Sequence, residues 1–178
     1  GESLMPATYW VFKRLGVLDK LKASDFPTKE SVQFVSESGR DSLPYYFTDR
    51  DPGEWSTTWQ VPRDKFDIML LDNAREKGAD VRQGVAVKRV VFDGDRATGV
   101  ETEFDGTLRR LSAQVVVDAS GQSSLIARQL RLRSGDKQLR NAAIYSYYRG
   151  ARVDEGRNAG ATIVIHTPER RGWYWVIP

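Results

Sequence analysis

The chain has 178 residues, enough for one domain that buries a hydrophobic core of its own. Its 27 Lys and Arg residues against 24 Asp and Glu residues give a net charge of +3, which is too balanced for a protein whose main role is to neutralise nucleic-acid phosphates. Because it contains no cysteine and a single histidine, His166, we expect no disulfide, no thiol catalysis and no metal site.

Features of the whole chain bear on its location and its parent protein. The longest uncharged runs are far shorter than a membrane span, and no basic segment followed by an apolar one opens the chain. We therefore expect a cytoplasmic protein that contacts no membrane. The chain starts at Gly1 and stops at the alternating aromatic and aliphatic run 173–178, which indicates an internal fragment of a longer enzyme.

The first part of the chain shows one helix pattern and three strand patterns. Apolar residues at helical spacing predict a helix over residues 6–21, with Gly16 weakening its end. Two segments rich in Val, Phe and Tyr, residues 30–37 and 43–48, predict a strand pair. A third strand is expected over residues 57–61.

The clearest helix pattern follows directly. Asp64 can cap the N-terminus of this helix, and its apolar positions recur at helical spacing from Phe66 onward. Gly78 is expected to end it in a left-handed conformation.

The pattern then changes to strands joined by short turns. The predicted meander strands are residues 85–92, 99–104 and 108–112. The uniformly apolar run 115–117 predicts a strand buried on both faces of a parallel sheet, and a short helix is expected over 123–130. The last predicted strands are residues 141–150, 160–167 and 173–178.

These elements predict a mixed α/β (α+β) fold with two interleaved parts. Residues 64–130 have the pattern of a partial Rossmann-like, nucleotide-binding domain, whereas residues 30–61 and 141–178 supply antiparallel strands for a substrate domain. The glycine-rich turn G-x-G-x-x-G that normally opens a nucleotide-binding sheet is missing from this sequence.

Four segments of the chain carry a family resemblance. They are GESLMP at residues 1–6, QVPRDKFD at 60–67, DASG at 118–121 and WYWVIP at 173–178. Together they resemble the flavin-dependent, tryptophan-halogenase-like enzymes of the aromatic-hydroxylase flavoprotein superfamily. The second and third segments occur widely in that superfamily, whereas the last matches the halogenase signature W-x-W-x-I-P at every fixed position. The resemblance implies that residues 64–130 belong to an FAD-binding domain.

The resemblance also implies a reaction. In the family, FAD that a flavin reductase has reduced reacts with O2 and a halide to give hypohalous acid, which travels to a lysine beside an electron-rich aromatic substrate. The substrate is phenol-, pyrrole- or indole-like and can be bound to a carrier protein. Lys29 resembles the family's lysine in its placement and is the catalytic candidate. A solvated ion pair with Glu30 is the alternative interpretation of this lysine.

The resemblance assigns further residues to the flavin and to the separation of flavin from substrate. Alternation on a strand places Trp173, Trp175 and Ile177 on one face, and with Pro178 they would form an apolar wall that keeps the substrate from the flavin. An ordinary aromatic core strand is the alternative.

The cofactor candidates are Ser3, Arg63, Asp118 and Gly121. The planar guanidinium of Arg63 suits phosphate oxygens, and the turn between Asp118 and Gly121 would let the backbone approach the cofactor closely. The alternatives are a helix cap for Ser3, a surface arginine and a simple turn. Since the phosphate-binding turn is missing, we expect the chain alone to bind FAD weakly or not at all.

Two other functions stay open at this point. The protein could be a halogenase-like FAD-dependent monooxygenase or reductase that does not halogenate. It could also be a non-catalytic domain that binds an anionic partner through a basic stretch. The residues of that stretch are Arg128, Arg131, Arg133, Lys137 and Arg140.

Overall fold

The chain divides into two structural units in the computed structural model, which describes residues 2–136, 138–139 and 141–178. The first unit joins Gly1–Val81 to Tyr148–Pro178, and the second is Arg82–Tyr147. Of the predicted basic stretch, Lys137 and Arg140 lie outside the described residues, as does Gly1 of the first motif.

The helices and strands follow one another along the chain without an internal repeat. The helices are α1 (Tyr9–Leu15), α2 (Leu18–Lys22), α3 (Phe47–Arg50), α4 (Arg63–Glu76) and α5 (Leu125–Gln129). The strands are β1 (Thr28–Lys29), β2 (Ser31–Val35), β3 (Tyr45–Tyr46), β4 (Thr58–Trp59), β5 (Ala86–Asp93), β6 (Arg96–Phe104), β7 (Thr107–Ser112), β8 (Thr162–His166) and β9 (Trp173–Val176).

The first unit contains a four-stranded sheet in the order β3-β2-β8-β9. Strands β2 and β8 are parallel, with Val32 opposite Thr162, and the other two pairs are antiparallel. Strands β1 and β4 form a separate antiparallel pair in which Lys29 lies opposite Thr58. The chain start extends this pair, because Ser3 bridges antiparallel to Gln60 just beyond β4.

The predicted helix over residues 6–21 is wrong in one respect, because it is broken. Gly16 adopts a left-handed conformation with φ 68°, and its N–H donates to carbonyl oxygens in the last turn of α1. The chain then turns into α2. Glycine reaches this conformation without the steric penalty that a side chain would add, so the residue predicted to weaken the helix divides it.

The strand predicted over residues 43–48 is also shorter than expected. Only Tyr45–Tyr46 pairs with β2, and the backbone turns into α3 at Phe47. Phe47, the first residue of α3, is buried.

The hydrophobic core of the first unit joins the N-terminal helices to α4. Phe12 and Phe66 meet edge to face with ring centroids 5.9 Å apart. The predicted helix is confirmed as α4, and Gly78 follows it with φ 89°. The predicted cap is wrong, because the helix already begins at Arg63 after the extended residue Pro62, which places Asp64 inside the first turn. The buried residues of this core are Tyr9, Phe12, Val17, Leu18, Leu21, Phe26, Trp59, Val61 and Phe66.

The second unit is built on the predicted meander, which is confirmed. Strands β5, β6 and β7 pair in sequence order, and both pairs are antiparallel. Helix α5, also predicted, is tied to this sheet by Gln129, whose side-chain amide accepts from the Val90 N–H at 2.9 Å and donates to the Val90 carbonyl at 2.7 Å. The Gln129 side chain thus bonds to the backbone of β5 as a neighbouring strand would.

Two of the predicted strands are wrong. The run 115–117 forms no strand, and Val115 and Val117 are 75% and 81% exposed. Residues 141–150 likewise form no strand. A strand needs partners for its backbone N–H and C=O groups, and among the described residues none pairs with either segment.

The predicted mixed fold with antiparallel sheets is confirmed. Helix α4 packs in the first unit, while the meander and α5 form the second. The division of the sequence into residues 64–130 on one side and 30–61 with 141–178 on the other stays a prediction. Within the part of the chain that the structure describes, no helix has the length and apolar character that crossing a membrane requires.

Candidate active site

Lys29 is the buried end of strand β1. Its side chain is only 3% exposed, whereas the preceding Thr28 is exposed, so the alternation of the strand turns the lysine inward. A buried lysine is rare in proteins and normally needs a specific partner or a function. The structure therefore sets Lys29 apart as a functional candidate.

Uncharged groups surround the amine of Lys29. Its Nζ donates to Ser3 Oγ at 2.8 Å and to the Leu4 carbonyl at 3.2 Å. The ring of Phe47 lies with its centroid 5.6 Å from the same atom, close enough for a cation–π contact. The amine is thus held from several sides.

Burial lowers the pKa of Lys29 from 10.5 to about 8. Among the described residues, no carboxylate contacts the Lys29 amine. The neighbouring Glu30 instead accepts a hydrogen bond from Arg157 at 3.1 Å. The alternative of a solvated pair between Lys29 and Glu30 is therefore wrong. An amine with this pKa is available in its neutral form at neutral pH far more often than an exposed lysine.

A set of polar side chains, of which Ser3 is half-buried and Gln60 and Thr162 are buried, lies next to Lys29. Ser3 Oγ is 2.8 Å from Thr162 Oγ1, which also accepts from Gln60 Nε2 at 3.0 Å. Gln60 Nε2 donates to the Gly160 carbonyl at 2.8 Å as well. Ser3, Lys29 and Gln60 reach this place from adjacent extended segments, whereas Thr162 comes from strand β8.

Two buried side-chain oxygens on and just after strand β4, which pairs with the strand of Lys29, have no hydrogen-bond partner within the described residues. They are Thr58 Oγ1, on the residue opposite Lys29, and Gln60 Oε1. Unpaired buried polar atoms are uncommon and often mark functional sites. They add to the polar character of the interior around Lys29.

Arg63, predicted at the cofactor, is the first residue of α4 and is exposed. Its guanidinium donates two parallel hydrogen bonds to the Asp67 carboxylate, each 2.9 Å long. The fork that would bind a phosphate is therefore engaged one turn along the same helix. A role at the cofactor stays a prediction and requires exchange of this surface ion pair, which is weak in water.

Asp118 and Gly121, the other predicted cofactor residues, organise the turn before α5. The Asp118 carboxylate accepts from the Ser120 N–H at 3.0 Å and from the Ile126 N–H at 2.8 Å. Its pKa is lowered by the Ser120 side chain first and then by these two N–H groups. Gly121 has φ 60°, and a Cβ placed on it would meet no atom within 4 Å.

This turn is open on the side of Gly121. Its left-handed glycine leaves the backbone uncovered, which is what close approach of a pyrophosphate needs. Asp118 fixes the turn, so the backbone is ordered before a ligand arrives. A role of Asp118 and Gly121 at the cofactor phosphates is compatible with this turn and stays a prediction.

The tryptophan motif forms strand β9, at the edge of the four-stranded sheet. Trp173 and Trp175 share a face, with ring centroids 6.2 Å apart, and are 54% and 60% exposed. The strand ends at Val176, so Ile177 and Pro178 follow it. The apolar wall stays a prediction.

The remaining candidate residues lie on the surface. His166 lies at the exposed end of β8, and the described arginines of the basic stretch, Arg128, Arg131 and Arg133, are all exposed. No group of three or more His, Cys, Asp and Glu side chains placed to hold a metal occurs in the described ranges.

The structure brings together some of the predicted site residues. Lys29 and Ser3 are in direct contact, although the motifs placed Ser3 at the cofactor, a role that stays a prediction. Thr162 was missed, because nothing in its local pattern marks it. Gln60 stood inside a quoted motif, and a polar residue at a buried strand position is the signal that could have found it.

Comparison with known proteins connects this arrangement to flavin enzymes. The sequence profile described as FAD binding domain matches residues 1–176. The 1H-pyrrole-2-carbonyl-[peptidyl-carrier protein] chlorinase of Pseudomonas fluorescens is 30% identical over all of this chain and 44% of its own length. The tryptophan 2-halogenase of Chondromyces crocatus is 31% identical over all of this chain and 33% of its own.

The fold comparison gives a similar result. The solved flavin-dependent halogenase CmlS superimposes with a TM-score of 0.83 at 30% identity, covering all of this chain and 32% of that one. The predicted resemblance to flavin-dependent halogenases is thus confirmed. The chain spans less than half the length of these relatives.

Proposed function

We propose, from the premise that this chain belongs to the FAD-binding domain family, that the whole protein is a flavin-dependent halogenase acting on an aromatic substrate. Membership of the family supports FAD as the cofactor. The relatives whose names specify chlorination or halogenation support the reaction class. The buried amine of Lys29 is the observation in this chain that carries the proposal.

The environment of Lys29 suits a reaction with hypohalous acid. With its pKa at about 8, roughly a tenth of the side chain is the neutral amine at pH 7. The neutral amine can attack the halogen: an N–halogen bond forms, the O–halogen bond breaks, and the hydroxide released takes an N–H proton to become water. The ammonium form can instead donate a hydrogen bond to the acid. Either way, Ser3 and Leu4 hold the nitrogen in place.

The halogen then passes to the substrate. In the first route, an aromatic carbon takes the halogen from nitrogen and loses its own proton, which restores the amine. FAD, when bound and reduced, supplies the oxidising chemistry with O2 that turns halide into hypohalous acid. We assign Trp173, Trp175, Ile177 and Pro178 to separating the substrate from the flavin.

Arg63, Asp118 and Gly121 are assigned to cofactor binding. Gly121 leaves the backbone of its turn open, and Asp118 holds that turn through two backbone N–H groups. Arg63 can offer its guanidinium to a phosphate after releasing Asp67.

The substrate and partners follow from the relatives by analogy. One relative is named for a pyrrole bound to a peptidyl carrier protein and another for tryptophan. We propose a phenol-, pyrrole- or indole-like substrate, either free or presented by a carrier protein. Halide and a flavin reductase complete the system.

The test uses the full-length protein with FAD, a flavin reductase, NADH and chloride or bromide against a panel of phenols, indoles and pyrroles. We expect a product whose mass spectrum carries a halogen isotope pattern. Lys29→Met should abolish halide incorporation while NADH is still consumed. The matched control is Lys65→Met, which removes an exposed lysine bonded to Asp25.

Other outcomes would reject the proposal. A hydroxylated product would assign the protein to the monooxygenases, and NADH consumption above that of the flavin reductase alone, without a product, would assign it to the reductases. Halogenation that survives Lys29→Met would remove the lysine from the reaction. Strongly salt-dependent binding of an anionic polymer, with no affinity for flavin, would favour the non-catalytic binding domain.

A further inference from the structure

A chain of hydrogen bonds leads from Lys29 into the interior of the first unit. Nζ bonds to Ser3 Oγ, Ser3 Oγ to Thr162 Oγ1, and Thr162 Oγ1 accepts from Gln60 Nε2. The second hydrogen of Gln60 Nε2 goes to the Gly160 carbonyl. This bond fixes the amide, because a flipped side chain would bring two oxygens together. The chain therefore ends on a group whose donor direction is set.

The hydrogen bonds that join Lys29, Ser3 and Thr162 can run in either direction, according to the protonation state of Lys29. When Lys29 is an ammonium, Ser3 Oγ accepts from Nζ and its own hydrogen donates to Thr162 Oγ1. When Lys29 is a neutral amine, both hydroxyls can turn round, so that Thr162 donates to Ser3 and Ser3 donates to the lone pair of Nζ. Only O–H rotation is needed, and no heavy atom moves.

We propose that Ser3 and Thr162 form a reversible hydroxyl relay that keeps Nζ of Lys29 in place in both of its protonation states. Ser3 acts by direct contact, and Thr162 is a positioning residue that acts through Ser3. The use of this relay in catalysis rests on the proposed function. The hydrogen bonds themselves do not depend on the reaction.

The other groups around Nζ cannot switch between donating to it and accepting from it as the relay can. They are the Leu4 carbonyl, Met5 Sδ and the Phe47 ring. Thr58, opposite on β4, is uncharged, and Glu30, next along the chain, is bonded to Arg157. The carbonyl, the thioether, the phenyl ring and the Thr58 hydroxyl are not ionisable groups, so none of them changes charge when Lys29 does.

The test is a direct titration of Lys29 in the full-length protein. Lysine labelled with carbon-13 at Cε is incorporated, its NMR signals are followed from pH 5 to 11, and the Lys29 signal is assigned with Lys29→Met. Ser3→Ala should lower the titration midpoint by about 1 pH unit, because the ammonium loses a charge-assisted hydrogen bond that is stronger than the bond lost by the amine.

The informative variants are at Thr162, which does not touch Lys29. Thr162→Val removes the hydroxyl and keeps the shape, and it should lower the midpoint by about 0.3 pH unit because Ser3 loses a polarising partner. Thr162→Ser keeps the hydroxyl and should titrate like the wild type. The double variant Ser3→Ala/Thr162→Val should match Ser3→Ala alone, since Thr162 acts only through Ser3.

A matched control is Ser31→Ala, which removes a fully buried hydroxyl bonded to Asn158 rather than to Lys29. It should leave the midpoint unchanged. The relay is overturned by a Thr162→Val midpoint equal to that of the wild type, by additive effects in the double variant, or by a midpoint that rises. If Ser3→Ala does not fold, the pair of Thr162 variants decides alone.

The titration also separates this proposal from the proposed function. It needs no turnover, so a protein that fails to halogenate any substrate can still show the relay. Conversely, halogenation that depends on Lys29, with a midpoint indifferent to Thr162, would support the proposed function and refute the relay.

Discussion

The variant Lys29→Met should be more stable than the wild type at neutral pH. This advantage over the wild type should shrink as the pH rises. The pKa of Lys29 is about 8 in the folded protein and 10.5 as its ordinary value. Below pH 8 the lysine is charged in both states, so the folded state carries the full penalty of burying that charge. Methionine fills a similar volume and removes the charge.

The magnitude follows from the two pKa values. Each pH unit between them corresponds to about 1.4 kcal/mol, so the burial of the charged amine costs about 3 kcal/mol below pH 8. Between pH 8 and 10.5 the folded protein releases the proton that the unfolded chain retains, and the wild type recovers this free energy. Methionine loses the bonds to Ser3 and Leu4, worth about 1–2 kcal/mol together. The net gain at pH 7 is therefore about 1–2 kcal/mol.

The assay is urea unfolding of the full-length wild type and of Lys29→Met between pH 6 and 11. Ionisations common to both proteins cancel in the difference between their free energies of unfolding. We expect this difference to change by about 3 kcal/mol in favour of the wild type as the pH rises from 7 to above 10.5. A difference that stays constant over that interval would refute the assignment of Lys29 as a buried, desolvated amine.

Two further predictions concern positions that organise the site. Gly160→Ala should destabilise the protein by about 2 kcal/mol or more in thermal or urea unfolding, because the new Cβ would lie 1.7 Å from the Thr28 carbonyl oxygen. The control Gly135→Ala, whose Cβ would meet nothing within 4 Å, should leave the stability unchanged. Equal stabilities of the two variants would contradict the close approach at Gly160. Asp118→Ala should speed amide hydrogen exchange at Ile126, because the Ile126 N–H loses its acceptor, and should weaken FAD binding. Unchanged exchange at Ile126 would argue against this turn as an ordered cofactor site.

The elements that could be predicted from the sequence are those whose stability is local. Helix α4 has a periodic apolar face and a glycine at its end, and the meander has Asp-Gly turns between its strands, so short windows of sequence contain the signal. The run 115–117 failed for the opposite reason. Its apolar residues predicted burial between neighbours, and a window of sequence cannot show whether those neighbours are present.

The candidate site also has one part that the sequence predicts and one part that it does not. Lys29 could be found from a resemblance and from its place beside a strand, but its partners could not. Ser3 and Thr162 are separated by 159 residues in the sequence; Ser3 is placed by its bridge to Gln60, and Thr162 by the parallel pairing of β8 with β2. That pairing is set by the whole sheet, so the polar contacts that hold Lys29 are a property of the tertiary fold rather than of any motif.

The position of Lys29 is consistent with function rather than stability. A charged amine buried without a carboxylate lowers the stability of the fold, and an exposed or apolar residue at the end of β1 would avoid that penalty. The hydrogen bonds to Ser3 and Leu4 offset part of it and also fix the nitrogen in one place. A fold that tolerates this penalty holds a nitrogen of lowered pKa in a fixed position, which suits the halogen transfer proposed for Lys29.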